Sequence, residues 1–346
     1  MKPTISADNI KLYNSLVDGF TYRCNSGEIL IDYLKRLLEH YNAHIQRLDG
    51  YIRLRVLERA DILTCLPFRI FETASNYLLG NTPSAYASMN EAFSCIEGVL
   101  ERKSNRYKNE NISLPLKFAF KGRRDDPAKP FPKTREEMFH IKFEDRSKIK
   151  DYRYSIRGMP SLYLGNSLYD CWIELDQPPL EDLCFSLFCF SDIDFIDLTF
   201  SYNHAAYYAV GSVLKGDDWQ ILQCEKLIDD FLLWPLIAAC SLKYDNTNAS
   251  FKQEYIIPQM LYQLCVENTD FCGVRYHSTK LTKHNRKEYQ GFMVNYALPA
   301  QDVKRSGYCP SLAGKLSLTE PIKAVMCEDI QGCSYSGYFT ATGCQF

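Results

Sequence analysis

The sequence lacks the short motifs that identify several common enzyme classes. It contains no G-x-G-x-x-G dinucleotide fingerprint and no G-x-S-x-G nucleophile elbow. The segment GYCPSLAGKLS (307–317) ends like a phosphate-binding loop, but its glycines are too far apart, and Leu316 follows Lys315 where that loop requires Ser or Thr. A Rossmann dinucleotide site, an α/β-hydrolase site and a P-loop nucleotide site are therefore discounted.

Histidine is scarce, and the cysteines are not paired in the sequence. Only six histidines are present, and HYNAH (40–44) has the histidine spacing of a zinc-protease helix but Tyr41 in place of the general-base glutamate. No third ligand is evident nearby, so we predict no metal site. The 14 cysteines form no C-x-x-C pair and keep no repeated interval. We therefore expect reduced and mostly buried thiols in a reducing cytoplasm.

Little in the chain points to a membrane or to a strongly charged partner. Its first residues, MKPTISADNIKLYNSLV, have polar residues interspersed throughout, whereas a secretory signal would carry an apolar segment. The longest apolar run, FLLWPLIAAC (231–240), contains a proline and is too short to span a bilayer. The net charge of -2 favours no class of partner. These features predict a cytoplasmic protein with no membrane partner.

The patterns that are present predict an α+β protein with a helical N-terminal part. In residues 8–103, apolar residues recur at intervals of three and four, as in amphipathic helices. From residue 116 onward, strand signals dominate in LKFAF, MFHIKF, SLYLG, CFSLFCF and DFIDLTF. Three helical patterns interrupt the strands, over 167–175, 217–242 and 254–268. We predict a helical N-terminal module over 1–105 and an α+β domain over 106–346.

The segment RYSIRGMPSLYLGNSLYDCWIEL (153–175) combines a strand, a turn, a second strand and a helix. Asn166 is placed to cap the helix, and Glu174 lies on the flank of its apolar stripe. A carboxylate on that flank can point into a cleft while its helix packs on the core. A solvated surface glutamate is the commoner interpretation of such a position, and the residues of this segment leave both open.

Six segments follow one another along the chain in a characteristic order: MFHIKF (138–143), RYSIRGMPSLYLG (153–165), CWIEL (171–175), YIIPQML (255–261), CGVRYHST (272–279) and VNYALP (294–299). In order and style they resemble RES-domain proteins, which are named for Arg, Glu and Ser. The resemblance covers about residues 117–320 and leaves 1–105 outside. It implies a fold similar to mono-ADP-ribosyltransferases, with mixed and antiparallel sheets and flanking helices.

This resemblance also implies an activity and a set of site residues. RES-domain proteins consume NAD, by hydrolysis or phosphorolysis at the nicotinamide–ribose bond, often as bacterial toxins. The implied catalytic residues are Arg153, Glu174 and Ser278. The implied NAD-binding residues are Lys121, Arg123, Arg153, Tyr163, Glu174 and Ser278. At the start of the domain, Phe120 and Lys121 stand where the family more usually has Tyr and Arg.

These residue types suit the cleavage of NAD. Nicotinamide is a cationic leaving group that departs neutral without a general acid, so the enzyme must stabilise an oxocarbenium-like ribose, which a carboxylate such as Glu174 can do. Arg153 offers a planar fork for the pyrophosphate. Tyr163 can pack its ring on nicotinamide or ribose, and Ser278 can hydrogen-bond the substrate or orient Glu174.

Three functions remain open from the sequence. The first is an NAD-degrading enzyme acting as a toxin or a defence effector, held in check by an inhibitory antitoxin or a regulatory protein. The second is an ADP-ribosyltransferase that modifies a protein or a nucleic acid, for which the same residues would serve. The third is a non-catalytic interaction protein. We expect the helical module to form a homo-oligomer, and we expect NAD as substrate with no metal cofactor.

Overall fold

The structure is a computed structural model that describes most of the chain. The described residues are 2–18, 24, 27–109, 117–125, 131–190, 192–202, 217–244, 249–267, 270–280, 293–302 and 304–327. The chain forms two compact units, of which one comprises Met1–Lys103 with Leu198–Leu261 and the other Ser104–Asp197 with Tyr262–Phe346. The domain boundary at residue 105 stays a prediction.

The N-terminal part of the chain is helical, as its apolar spacing predicts. In the described parts of the whole chain, the α-helices are α1 (Ala7–Asp18), α2 (Leu30–Gln46), α3 (Gly50–Leu57), α4 (Ala60–Leu78), α5 (Thr82–Asn109), α6 (Leu168–Glu174), α7 (Asp217–Cys240), α8 (Ile256–Glu267) and α9 (Pro310–Ala313). Helix α7 packs against α2, α3 and α4 and is buried on all sides along its second half. This burial fits a helix that is apolar all round. It makes α7 the centre of the first unit.

A buried ion pair lies in this first unit. Lys103 Nζ donates to Asp230 Oδ1 at 3.0 Å, and both side chains are fully buried. The Asp230 carboxylate also accepts from the Tyr13 hydroxyl at 2.9 Å and from the backbone N–H groups of Ser201 and Tyr202. Burial, followed by the charge of Asp230, raises the pKa of Tyr13 well above its usual value. The tyrosine therefore stays a neutral donor to this carboxylate.

The α+β class is confirmed by a sheet of eight described strands. The strands are β1 (Lys117–Arg124), β2 (Ser161–Gly165), β3 (Leu183–Phe190), β4 (Phe195–Leu198), β5 (Gly273–His277), β6 (Val294–Pro299), β7 (Leu316–Leu318) and β8 (Ile322–Lys323). Their order is β4-β5-β6-β2-β1-β3-β7, and β8 also pairs with β3. The pairs whose register is resolved are antiparallel.

Register places one row of residues across four neighbouring strands of the second unit. Phe120 lies opposite Gly165, Gly165 opposite Asn295, and Asn295 opposite Tyr276. Residues directly opposite each other in a sheet point to the same face, and neighbours along a strand point to opposite faces. Helix α6 covers the face of this row, where Cys171 donates from its Sγ to the Phe120 carbonyl at 3.2 Å. The row therefore marks the sheet face that carries α6.

The strand predicted over MFHIKF is wrong. Met138 ends a 3-10 helix over Arg135–Met138, and Phe143 begins another over Phe143–Lys148. Met138, Phe139 and Phe143 are buried in the core on the other face of the sheet, so their spacing reflects packing and not strand pairing. The His140 ring satisfies local backbone groups, with Nδ1 donating to the Ile141 carbonyl at 2.7 Å and Nε2 accepting from Cys309 N–H at 2.9 Å.

His140 should make the stability of this protein depend on pH. Burial lowers the pKa of His140 from 6.5 to about 4. The unfolded chain therefore binds a proton before the folded chain does, and the stability that the neutral ring provides is lost as the pH falls from 6.5 towards 4. Between pH 7.5 and 5.0 we expect a loss of about 2 kcal/mol from this group. Urea unfolding at both pH values measures it, with His140→Gln as the reference. Parallel losses in the two proteins would contradict this assignment.

The described cysteines match a further expectation. Every cysteine that the structure describes is a free thiol, and most of them are buried. This confirms the expected state of the thiols for those residues. Over the same described parts of the chain, no helix is both long enough and apolar enough to cross a bilayer.

Candidate functional site

Two glycines allow helix α6 to lie close to the sheet. A Cβ added at Gly122 would come within 2.9 Å of Leu175 Cδ1, and one at Gly165 within 2.9 Å of Cys171 Sγ. Both contacts are closer than real Cβ atoms allow, so a larger residue at either position would force these neighbouring side chains to shift. The close approach holds the C-terminal end of α6, and with it Glu174, near the sheet.

The N-terminal end of α6 is capped by Ser167, which corrects the prediction of Asn166. Ser167 Oγ accepts from the N–H of Asp170 at 2.9 Å. Asn166 instead forms hydrogen bonds with strand β6 of the sheet. Its backbone N–H donates to the Val294 carbonyl at 2.8 Å, and its side-chain oxygen accepts from the Tyr296 hydroxyl at 3.2 Å. The side chain that could have capped the helix is thus already engaged.

Glu174, the last residue of α6, is held by two side chains from the sheet. Its Oε1 accepts a short hydrogen bond from Ser278 Oγ and another from Asn295 Nδ2 at 2.7 Å. Among the described residues, nothing donates to the other carboxylate oxygen, Oε2, and no basic side chain forms an ion pair with Glu174. One oxygen is therefore fixed by two donors, and the other has no donor within the described ranges.

Lys280 contacts the same end of the helix. Its Nζ donates to the backbone carbonyl of Glu174 at 2.5 Å and to Asp176 Oδ1 at 2.7 Å. Its backbone N–H donates to Ser278 Oγ at 3.1 Å. Ser278 thus accepts from Lys280 and donates to Glu174, which defines the direction of its hydroxyl proton.

Tyr276 lies on the sheet face that carries Ser278 and opposite Asn295, which donates to Glu174. Burial raises the pKa of Tyr276 well above its usual value, and the neighbouring Tyr163 and Glu174 raise it further, whereas the charge of Arg153 and a hydrogen bond with Asn295 lower it. The Tyr276 phenol is therefore a buried neutral group beside the donor that holds Glu174.

Tyrosine rings extend the site beyond Tyr276. The ring of Tyr154 lies 4.2 Å from that of Tyr276, and the ring of Tyr152 lies 5.8 Å from that of Tyr163 in an edge-to-face arrangement. Tyr152 is half exposed, whereas Tyr154 is buried. Flat aromatic surfaces of this kind suit a planar ligand ring.

The structure does not bring Lys121 and Arg123 to Glu174. Both follow Phe120 at odd steps along β1, so they lie on the sheet face opposite to α6. Lys121 Nζ and Arg123 Nη2 both donate to the Phe139 carbonyl, at 3.0 and 3.2 Å. Burial, and then the nearby Arg123 charge, lowers the pKa of Lys121 well below its usual value. The NAD-binding role of these two residues stays a prediction.

Of the sequence-predicted residues, the structure brings Glu174 and Ser278 into contact, although they lie 104 residues apart. Tyr163 lies on the same sheet face as Tyr276, and Arg153 acts on the Tyr276 hydroxyl through its charge. Sequence reasoning missed Tyr276, Asn295 and Lys280. A signal existed for the first two, because Tyr276 lies two positions before Ser278 on a strand and Asn295 is a polar residue inside an apolar strand. Within the described ranges, no cluster of three or more His, Cys, Asp or Glu residues could hold a metal ion.

Comparison with known proteins gives one relative. Over 294 residues the chain is 30% identical to a protein described as "Putative toxin YopC" from Bacillus subtilis (strain 168), and the match covers 82% of this chain. The chain spans 64% of the length of that relative. No protein-family model matches the chain, and no solved structure matches it. The chain is therefore similar to this curated protein, without an assigned family.

Proposed function

We propose that this chain is a toxin that cleaves the nicotinamide–ribose bond of NAD. The observation that carries the proposal is the Glu174 carboxylate, with Oε1 held by Ser278 and Asn295 and with Oε2 accepting no hydrogen bond among the described residues. A carboxylate fixed in this way is preorganised, so it can stabilise positive charge that develops on a substrate without first reorienting.

The proposed reaction needs few groups from the protein. As the bond from ribose C1′ to the nicotinamide nitrogen breaks, its electron pair leaves with nicotinamide and neutralises the ring cation. Positive charge then develops at C1′ and the ring oxygen, where Glu174 stabilises it. Water or inorganic phosphate attacks C1′ and loses a proton. ADP-ribose or ADP-ribose 1-phosphate is the second product.

The other residues of the site would bind the rest of the dinucleotide. The charge of Arg153 acts on the Tyr276 hydroxyl, and its guanidinium would contact the pyrophosphate. Tyr163 and the half-exposed Tyr152 would offer ring faces to nicotinamide or ribose. Tyr163 lies on the sheet face that is covered by α6 and carries Asn295, which supports a single binding site.

The similarity to a protein named as a toxin supports the biological part of the proposal. Loss of NAD would arrest the growth of a producing cell, so we also infer an inhibitory partner protein. Inducing the wild-type chain in a bacterium should lower cellular NAD and stop growth, whereas Glu174→Gln should do neither. Growth arrest at normal NAD levels would overturn this proposal.

The activity itself is tested with purified protein and NAD labelled in its ADP-ribose half. We expect release of nicotinamide and label in free ADP-ribose, or in its 1-phosphate when phosphate is supplied. Label retained on a protein or a nucleic acid would show transfer instead of degradation. If no nicotinamide is released with or without phosphate, and calorimetry finds no NAD binding, the enzymatic proposal fails.

Ser278→Ala should lower the rate of nicotinamide release by about 10- to 100-fold, because Glu174 Oε1 then keeps only one of its two side-chain donors. The turnover number kcat should fall more than KM changes, since Ser278 acts on Glu174. Ser311→Ala removes an exposed hydroxyl that bonds Asp302 and serves as the control. Equal rates for the two variants would show that Ser278 does not orient the carboxylate.

A further inference from the structure

We propose that Lys280 is a positioning residue, which fixes Glu174 by closing the C-terminal end of α6. The effect of Lys280 on NAD cleavage rests on the proposed function. Its effect on the helix rests on the geometry of α6 and β5 alone. The two effects can therefore be measured separately.

Helix α6 needs an external partner at its C-terminal end. It has only seven residues, and Glu174 is the last of them. After Leu175, Asp176 and Gln177 have φ angles of 64° and 52°, in the left-handed region that non-glycine residues rarely adopt. Short helices are marginal by themselves, so the position of Glu174 depends on contacts made at this end.

At this end of α6, the backbone carbonyl that Lys280 binds is that of Glu174. The three carbonyls that precede Glu174 accept from the N–H groups that follow the helix. The Glu174 carbonyl accepts from Lys280 Nζ at 2.5 Å. Last-turn carbonyls without a partner inside the helix need one from elsewhere. An ammonium group is a favoured partner, because the C-terminal end of a helix carries partial negative charge.

The hydrogen bond from Lys280 to the Glu174 carbonyl holds the end of α6 more strongly than the ion pair between Lys280 and Asp176 does. Lys280 and Asp176 lie 2.7 Å apart, but their side chains are 37% and 83% exposed. Exposed ion pairs contribute little to stability, because water screens them. Lys280 also donates its backbone N–H to Ser278 Oγ, which in turn donates to the Glu174 carboxylate. Lys280 thus acts on Glu174 at the backbone and, through Ser278, at the side chain.

The test compares Lys280→Met with Lys148→Met in the full chain. Lys148 forms an exposed ion pair with Asp145 at 2.5 Å and touches neither Glu174 nor Ser278, so it is a matched control. In Lys280→Met we expect faster hydrogen–deuterium exchange in the peptide covering 168–177. We also expect a kcat about 10- to 100-fold below wild type with a nearly unchanged KM, since a small misplacement of a catalytic group costs about this much. Lys280→Arg should restore much of the rate.

The outcomes separate this inference from the proposed function. Unchanged exchange over 168–177 in Lys280→Met would overturn the inference, whatever the activity. Faster exchange together with a wild-type kcat would overturn the positioning role. If the wild-type protein does not cleave NAD but exchange still rises in Lys280→Met only, the proposed function fails while the closure of α6 by Lys280 is supported.

Discussion

Glu174→Gln is expected to reduce NAD cleavage by about 1,000-fold. Glutamine has nearly the same shape, and its side-chain oxygen can still accept from Ser278 and Asn295, so the variant should keep the local structure. It loses the negative charge that would face the developing cation at C1′. Loss of one preorganised group that stabilises transition-state charge typically costs about 100- to 1,000-fold, and here the full charge is lost.

Nicotinamide release at saturating NAD measures this effect, with Glu181→Gln as the control. Glu181 lies beyond α6 in the same unit and is exposed. The control should keep the wild-type rate, and both variants should keep the wild-type thermal unfolding midpoint. A Glu174→Gln protein that is folded and as active as Glu181→Gln would rule out Glu174 as the catalytic carboxylate.

Lys103→Met is expected to lower the free energy of unfolding of the first unit by about 3–5 kcal/mol. The substitution leaves Asp230 charged and fully buried without its cation, with only neutral donors around it. It also removes the donor to the Thr199 carbonyl. Removal of one partner from a buried pair costs far more than the pair contributes as a whole, because the remaining charge cannot be hydrated.

Urea unfolding followed by tryptophan fluorescence measures this loss. Trp234 is buried in α7 and stacks on Tyr41 with ring centroids 5.4 Å apart, so its emission reports the packing around that helix. Lys11→Met removes an ion pair with Asp8 in which both side chains are exposed. It should change the free energy of unfolding by less than about 1 kcal/mol. The double variant Lys103→Met/Asp230→Asn should lose less than the sum of the single losses. Equal losses for Lys103→Met and Lys11→Met would contradict the role of the buried pair.

Patterns in the sequence were most reliable where one periodicity dominates. The helical spacing over 217–242 and 254–268 predicts α7 and α8 closely, because a buried helix repeats apolar residues over several turns. The strand predicted over MFHIKF failed because its side chains pack into the core from 3-10 helices. Short apolar segments of this length fit a strand and an irregular buried segment equally well.

The sequence by itself determined the α+β class and the positions of the longer helices, because those depend on spacing along the chain. The resemblance supplied Arg153, Glu174 and Ser278, but not their contacts. Only the tertiary structure decided that Ser278 and Asn295 share one oxygen of Glu174 and that Lys121 points away from it. These facts depend on strand register and on the close packing of α6 at Gly122 and Gly165, and a shift of one residue in register would reverse the faces.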